Sequence, residues 1–352
     1  MSISGPPADT PERQAYYDKI SKRNLNPLWS VMGAIITREP RSACVPHLWN
    51  FAEMKELLLE AGSLITAKEA ERRVLMLENP GMPGQNRITT SLYAGLQLVL
   101  PGEVAPAHRH SQSAVRFVLD GAGAHTSVDG ERTIMQVGDF VITPPRAWHD
   151  HGNHSDEPMI WLDGLDIPTV SFYDASFAES SPEDERPVTR PVGHSMAQFG
   201  ANMLPVDYEA TQPSSPIFNY PYDRTREALE TMRRQQDWDP CHGLKMRFVN
   251  PVDGGSPMPT MSAFMQLLPK DFASSAYRST DATIFAVVEG RGTTTIDGQP
   301  FAWGPKDVFV VPSWKWVSHH ADEDAVIFSY SDRIAQQKLG LWREDRGNRV
   351  KD

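Results

Sequence analysis

Three histidines at two spacings carry the chemistry of this 352-residue chain. His108 and His110 are separated by one residue, so on a strand both imidazoles point to one face while Arg109 points to the other. His149 follows a later strand-like run, Asp139-Phe-Val-Ile-Thr, and the turn residues Pro144-Pro145. A lone His-x-His is weak, and a single buried histidine is usually structural. Two histidines from one strand and a third from another can instead converge on one ion inside a small barrel. Three neutral imidazoles suit Fe(II), Zn or Cu and leave positions open for a substrate.

An unbroken strand after His110 puts Gln112, Ala114 and Arg116 on the ligand face. An inward arginine is costly unless something pairs with it, either a substrate carboxylate or an Asp or Glu of the chain itself. The run Leu92–Leu100 places Tyr93, Gly95, Gln97 and Val99 on one face, from which Tyr93 and Gln97 line the cavity if that face points inward. Arg146, three residues before His149, is close to the metal, but alternation does not carry its direction through the Pro144-Pro145 turn. It either faces the cavity or pairs with a carboxylate elsewhere.

Positioning these side chains requires an antiparallel barrel. Hairpin signals at Gly121-Ala-Gly123 and Asp129-Gly130 fit one, spanning about residues 86–170. The second half repeats it over 260–335. Phe-Val-Leu-Asp-Gly121 aligns with Ala-Val-Val-Glu-Gly290, Asp139-Phe-Val-Ile-Thr-Pro with Asp307-Val-Phe-Val-Val-Pro, and Trp148 with Trp316. That register puts Tyr277, Ser279 and Val317 where the first half has its three histidines, so the second barrel is expected to be metal-free. His319 and His320 are assigned to a loop or the surface. Residues 1–85 read as a helical and irregular arm. Its expected helices run from Thr10 to Arg23, from Phe51 to Glu60 (capped by Asn50 and closed by Gly62), and from a Thr66/Glu69 capping box to about Arg73. The arm is either a packing extension or a segment that crosses onto a neighbouring subunit. Residues 171–259 read as a connection with a helix over Arg224–Gln236 capped by Asp223, and 336–352 as a tail.

Apolar content of 40% and charged content of 22% are ordinary for a globular chain. A net charge of −11 argues against nucleic acid or an anionic membrane surface as partner. An anionic small substrate therefore needs a local positive site. Cys44 and Cys241 form no disulfide framework and point to a reducing compartment. The start MSISGPPADTPER lacks a signal pattern, and no apolar run spans a bilayer, so a cytoplasmic location is expected.

The spacing resembles the paired motifs of the cupin superfamily: Gly102, His108, His110 and Gly121, then Gly138, Pro144, His149 and Asn153. Two positions depart from it. Ala114 and Val115 stand where many cupins supply a glutamate, and Arg146 replaces a usual glycine. The fold implied is a bicupin, an all-β core of two antiparallel barrels with a helical N-terminal arm and a linker. The strings SLYAGLQLVLPGEVAPAHRHSQSAVRFVLDG, WHDHGN, WLDGLDIP and NLNPLW resemble gentisate 1,2-dioxygenases and the related salicylate and 1-hydroxy-2-naphthoate dioxygenases. The resemblance implies Fe(II) and O2, cleavage of gentisate between its carboxyl- and hydroxyl-bearing carbons to maleylpyruvate, and a homotetramer. It also implies that His151 contacts substrate oxygens as acid or base and that Asp163 and Arg72 belong to the active site, with Arg116 on the substrate carboxylate. The same reaction on salicylate, a nitro- or halosalicylate or 1-hydroxy-2-naphthoate is the alternative, with Arg146 as a contact for a polar ring substituent. A non-catalytic cupin that binds small molecules is the alternative of a different class.

Overall fold

The computed structural model describes residues 9–235, 238–347 and 350–351. It divides into two compact units, one ending at Arg41 and one running from Ser42. The first is a helix pair. Thr10 caps Pro11–Ser21 by accepting from the Arg13 amide, and Pro27 leads into Leu28–Ile35. The Trp29 indole donates to the Tyr17 hydroxyl (3.1 Å), and neither helix buries a residue.

In the second unit, four sheets build two cupins. In the first cupin a six-stranded sheet, ordered 219–220, 140–143, 114–120, 159–165, 93–99 and 74–76, faces a five-stranded one ordered 178–180, 104–110, 149–153, 124–128 and 131–134. Alternation sends Val118, Val141, Trp161 and Val99 inward to meet Ala124 of the opposite sheet. The second cupin repeats this with a six-stranded sheet (47–49, 308–311, 283–289, 325–331, 262–268, 244–247) and a three-stranded one (299–303, 292–296, 317–321). The large sheets pack back to back through their other faces, and Phe117 stacks on Phe328 with centroids 4.1 Å apart.

The arm expected to end at residue 85 contributes to this body from Ser42 onward. His47–Trp49 completes the second cupin's sheet beside Val308–Val310, and Val74–Met76 completes the first beside Gly95–Gln97. Between them Asn50 caps the helix Phe51–Leu64, and Asp307 accepts from the Phe51 amide (2.8 Å). Gly62 does not close that helix. It lies inside it, and a Cβ there would stand 3.2 Å from Leu98 and Leu100, so the glycine permits close approach to the sheet. The Thr66/Glu69 capping box is present, but its helix ends at Ala70, before Glu71 turns to φ 54°. The connecting region also supplies strands: 178–180 and 219–220 join the first cupin, and 244–247 joins the second. Its helix is Tyr222–Arg233, starting two residues earlier than Asp223 as a cap requires; Asp139 accepts from the Tyr222 amide (2.9 Å) instead. The expected end at Gln236 lies outside the described residues. No helix among the described residues is long and apolar enough to cross a membrane.

Candidate metal centre and its lining

His108 and His149 are register partners on adjacent strands of the five-stranded sheet. With His110 they form a triangle whose ring centroids are 4.3, 4.9 and 5.2 Å apart, and their ligand nitrogens all lie within 4.8 Å of one another. Backbone carbonyls set the tautomers. The Nδ1–H of His149 donates to Ala147 and that of His110 to Gln112, both at 3.0 Å, while His108 Nδ1 stands 3.3 Å from the Pro106 carbonyl. A carbonyl can only accept, so in His149 and His110 Nδ1 carries the proton and Nε2 is left with a lone pair, whereas His108 Nδ1 also lies against the donor-only Arg72 guanidinium. His149 Nε2 is buried with no partner. Burial, reinforced by neighbouring positive charges, lowers His108 to about 3 and His110 to about 4, and holds His149 far below the usual imidazole range. All three are neutral at pH 7, which a metal ligand requires. Arg109 points outward, as alternation requires, and pairs with Glu179.

The strand ends at His110, so Arg116 does not continue the ligand strand. Residues 111–113 turn, and 114–120 crosses into the facing sheet. Arg116 nevertheless points into the same interior, because strand register aligns Gly95, Asp163 and Arg116 across three adjacent strands. Its Nη1 donates to Thr143 Oγ1 (2.5 Å) and its Nε stands 3.5 Å from Asp163 Oδ1. The Asp163 carboxylate also accepts from the Trp161 indole (3.1 Å). Burial raises Asp163 to about 6 against the pull of Arg116. The carboxylate partner considered for Arg116 is therefore Asp163, in the next strand.

His151 is fully buried, its Nδ1 2.7 Å from Thr126 Oγ1 and its Nε2 without a partner. Burial first, then Arg116 and Arg72, keep it neutral well below its ordinary range. Gln97 is buried beside Trp161 in register, with Nε2 unpaired. A Cβ on Gly95 would come within 2.7 Å of the Tyr93 hydroxyl and 2.5 Å of Val74, so Tyr93 lies over that glycine. Arg72 is half-buried, abuts the His108 ring and donates to the Pro106 (2.8 Å) and Glu71 (2.7 Å) carbonyls. Arg146 is the residue not brought in. It is exposed on its turn at φ 66°, and its amide donates to the His110 carbonyl.

Thr126, Thr143 and Trp161 escaped the sequence reading, although alternation carries part of the signal. Thr126 pairs with His151 in register, so the two share a face.

The second cupin keeps the register and loses the ligands. Tyr277 and Val317 form the bridge that His108 and His149 form in the first, with N–H···O distances of 3.0 and 2.8 Å. His319 is not a loop or surface residue: it is buried on the strand 317–321, its Nδ1 2.9 Å from Thr294 Oγ1. His320 is exposed.

The Cupin domain family matches residues 95–165. A gentisate 1,2-dioxygenase of Aquipseudomonas alcaligenes is 65% identical over 98% of this chain and 100% of its own length. A 5-aminosalicylate 1,2-dioxygenase of a Comamonas species is 34% identical over 97% of this chain and 92% of its own. Among solved structures, the salicylate 1,2-dioxygenase of Pseudoaminobacter salicylatoxidans with gentisate superposes at a TM-score of 0.93 and 32% identity, covering 99% of this chain and 98% of that one.

Proposed function

The chain belongs to the gentisate 1,2-dioxygenase family of ring-cleaving bicupins, and we propose that it opens gentisate with O2 between the carboxyl- and hydroxyl-bearing carbons, giving maleylpyruvate. The observation that carries this reading is the triangle of neutral, carbonyl-anchored histidines beside a buried arginine. Three imidazoles without a carboxylate leave a divalent cation's charge uncompensated, which favours a chelating dianion such as an ortho-hydroxybenzoate. His108, His110 and His149 would hold Fe(II) through Nε2. When bound, the ion supplies a common template for ring and O2 and a route for electrons between them.

The remaining work falls to the chain's own side chains. Arg116 offers its fork to the substrate carboxylate, while Thr143 and Asp163 hold the guanidinium in plane. His151, held neutral, turns Nε2 toward the cavity and exchanges a hydrogen bond with a substrate oxygen, its ring fixed by Thr126. Arg72 adds positive charge at the mouth beside His108. Gly95 leaves room for the Tyr93 hydroxyl at the ring, and Gln97 Nε2 supplies a further donor. Burial of the lining excludes water and strengthens each of these contacts.

The test is O2 uptake by Fe(II)-reconstituted protein with gentisate, salicylate, 5-nitrosalicylate and 1-hydroxy-2-naphthoate. Gentisate should give the highest kcat/KM, and His149→Ala should lose both activity and bound iron. Tight binding of these acids with no O2 uptake would instead identify a binding protein. A cytoplasmic homotetramer belongs to the same proposal, and sedimentation velocity checks the assembly.

A further inference from the structure

A second set of metal-type side chains lies on the outer face of the five-stranded sheet, behind the centre described above. Alternation places it there: Thr126, His149 and His151 face inward, so His125 and Asp150 face out. Both are essentially inaccessible to solvent, at 1% and 0% exposure. Over them lies the segment after strand 178–180, strapped down by Ser181 N–H to the Ala107 carbonyl (2.9 Å) and Ala107 N–H to the Asp184 carbonyl (2.8 Å). This strap delivers Glu185. His125 Nε2 stands 3.8 Å from Asp150 Oδ1 and 3.8 Å from Glu185 Oε1, and His154 Nε2 is 3.8 Å from the same Glu185 oxygen.

We propose that His125, Glu185 and His154, whose ligand atoms all lie within 4.8 Å of one another, form a second metal site that takes Zn(II) or a similar borderline divalent cation. The separations are too long for hydrogen bonds, which fall below about 3.2 Å. They are close to the spacing of about 3.4 Å between ligands of a tetrahedral ion with bonds near 2.1 Å. His125 Nε2, Asp150 Oδ1 and Glu185 Oε1 are each buried with no hydrogen-bond partner, so the imidazole nitrogen stands 3.8 Å from two oxygens whose lone pairs are unsatisfied. The other oxygens are already used: Asp150 Oδ2 accepts from the Arg186 amide (2.9 Å), and Glu185 Oε2 faces Arg132 (3.6 Å). Two imidazoles and one carboxylate supply three ligands and leave the fourth tetrahedral position to water, while the Asp150 carboxylate beside His125 adds negative charge.

The backbone is shaped to the same end. The His125 ring lies against Gly152, where a Cβ would stand 2.4 Å from its Cε1, so a side chain at 152 would displace the ring. His154 stacks on that ring at 5.1 Å. An ion here would clip the strap to strand 149–153, which carries His149 on its other face.

The experiment adds Co(II) or Zn(II) to protein already loaded with Fe(II), and reads each metal by mass spectrometry and tetrahedral Co(II) by its visible d–d bands. Wild type should take up one equivalent beyond the iron. His149→Ala should lose the iron and keep the second equivalent. Glu185→Gln and His125→Asn should keep the iron while binding the second ion at least about a hundredfold more weakly. Saturation of wild type at the iron alone overturns the proposal, as does a second equivalent that survives in Glu185→Gln. Glu185 sits in a partly exposed strap, so this variant tests the site even if His125→Asn fails to fold.

Discussion

Arg116→Met separates a guanidinium that serves the substrate from one that serves only the fold, because its partner Asp163 is buried with it. The two side chains are 4% and 8% exposed and 3.5 Å apart. Removing one member of such a pair leaves the other charge in a low dielectric, a loss of about 3–5 kcal/mol. In an Asp163→Asn background no charge is stranded, and the same substitution should cost at least about 2 kcal/mol less. The pH dependence has a definite sign. Asp163 is raised from 3.8 to about 6, so the folded state holds its proton more tightly. Its contribution to stability is complete below pH 3.8 and lost as pH rises through about 6, a change of about 3 kcal/mol. Without Arg116 the carboxyl rises further, so Arg116→Met should lose more stability at pH 8 than at pH 5. Urea unfolding of the metal-free proteins in a double-mutant cycle at both pH values measures this, and iron-loaded Arg116→Met should retain its metal with a raised KM. Equal losses at both pH values, or additivity of the two substitutions, would refute the pairing.

Thr126→Val removes the oxygen that fixes His151. Iron content should stay at wild-type level while kcat falls about tenfold or more, and Thr126→Ser should recover most of it. Gly95→Ala forces a methyl to within 2.7 Å of the Tyr93 hydroxyl and 2.5 Å of Val74. The expected cost is about 1–3 kcal/mol in urea unfolding, and the Tyr93 ring should move enough to change the salicylate-to-gentisate kcat/KM ratio. Tyr277→Phe should leave bound metal unchanged. Arg146 holds φ 66°, a conformation that costs a non-glycine residue about 1 kcal/mol. Arg146→Gly should therefore raise Tm slightly, and its exposure predicts an unchanged ratio of kcat/KM for 5-nitrosalicylate over gentisate.

What was legible in the sequence followed alternation within a strand. His108, His110 and Arg109 take the faces that the period of two demands, and the repeat register carries through to the Tyr277–Val317 bridge. What was not legible depends on pairing between strands. Nothing local says that Asp163 lies beside Arg116, because 47 residues separate them and only the register of 114–120 against 159–165 joins them. His319 failed for a related reason. Without a His-x-His neighbour it offers no metal pattern, yet the strand 317–321 repeats 149–153, and Thr294 stands to it as Thr126 stands to His151. The second cupin has therefore kept the hydroxyl-anchored histidine while Tyr277 and Val317 replaced two of the ligands. A buried imidazole left with one unsatisfied nitrogen is unfavourable, and His319 Nε2 is such an atom. The Thr–His pair recurs where no ligand set surrounds it, so its geometry follows from the strand register of the fold. In the first cupin the same geometry leaves His151 Nε2 without a partner beside His149 and Arg116, and the role proposed for His151 rests on these neighbours rather than on the Thr–His pair itself.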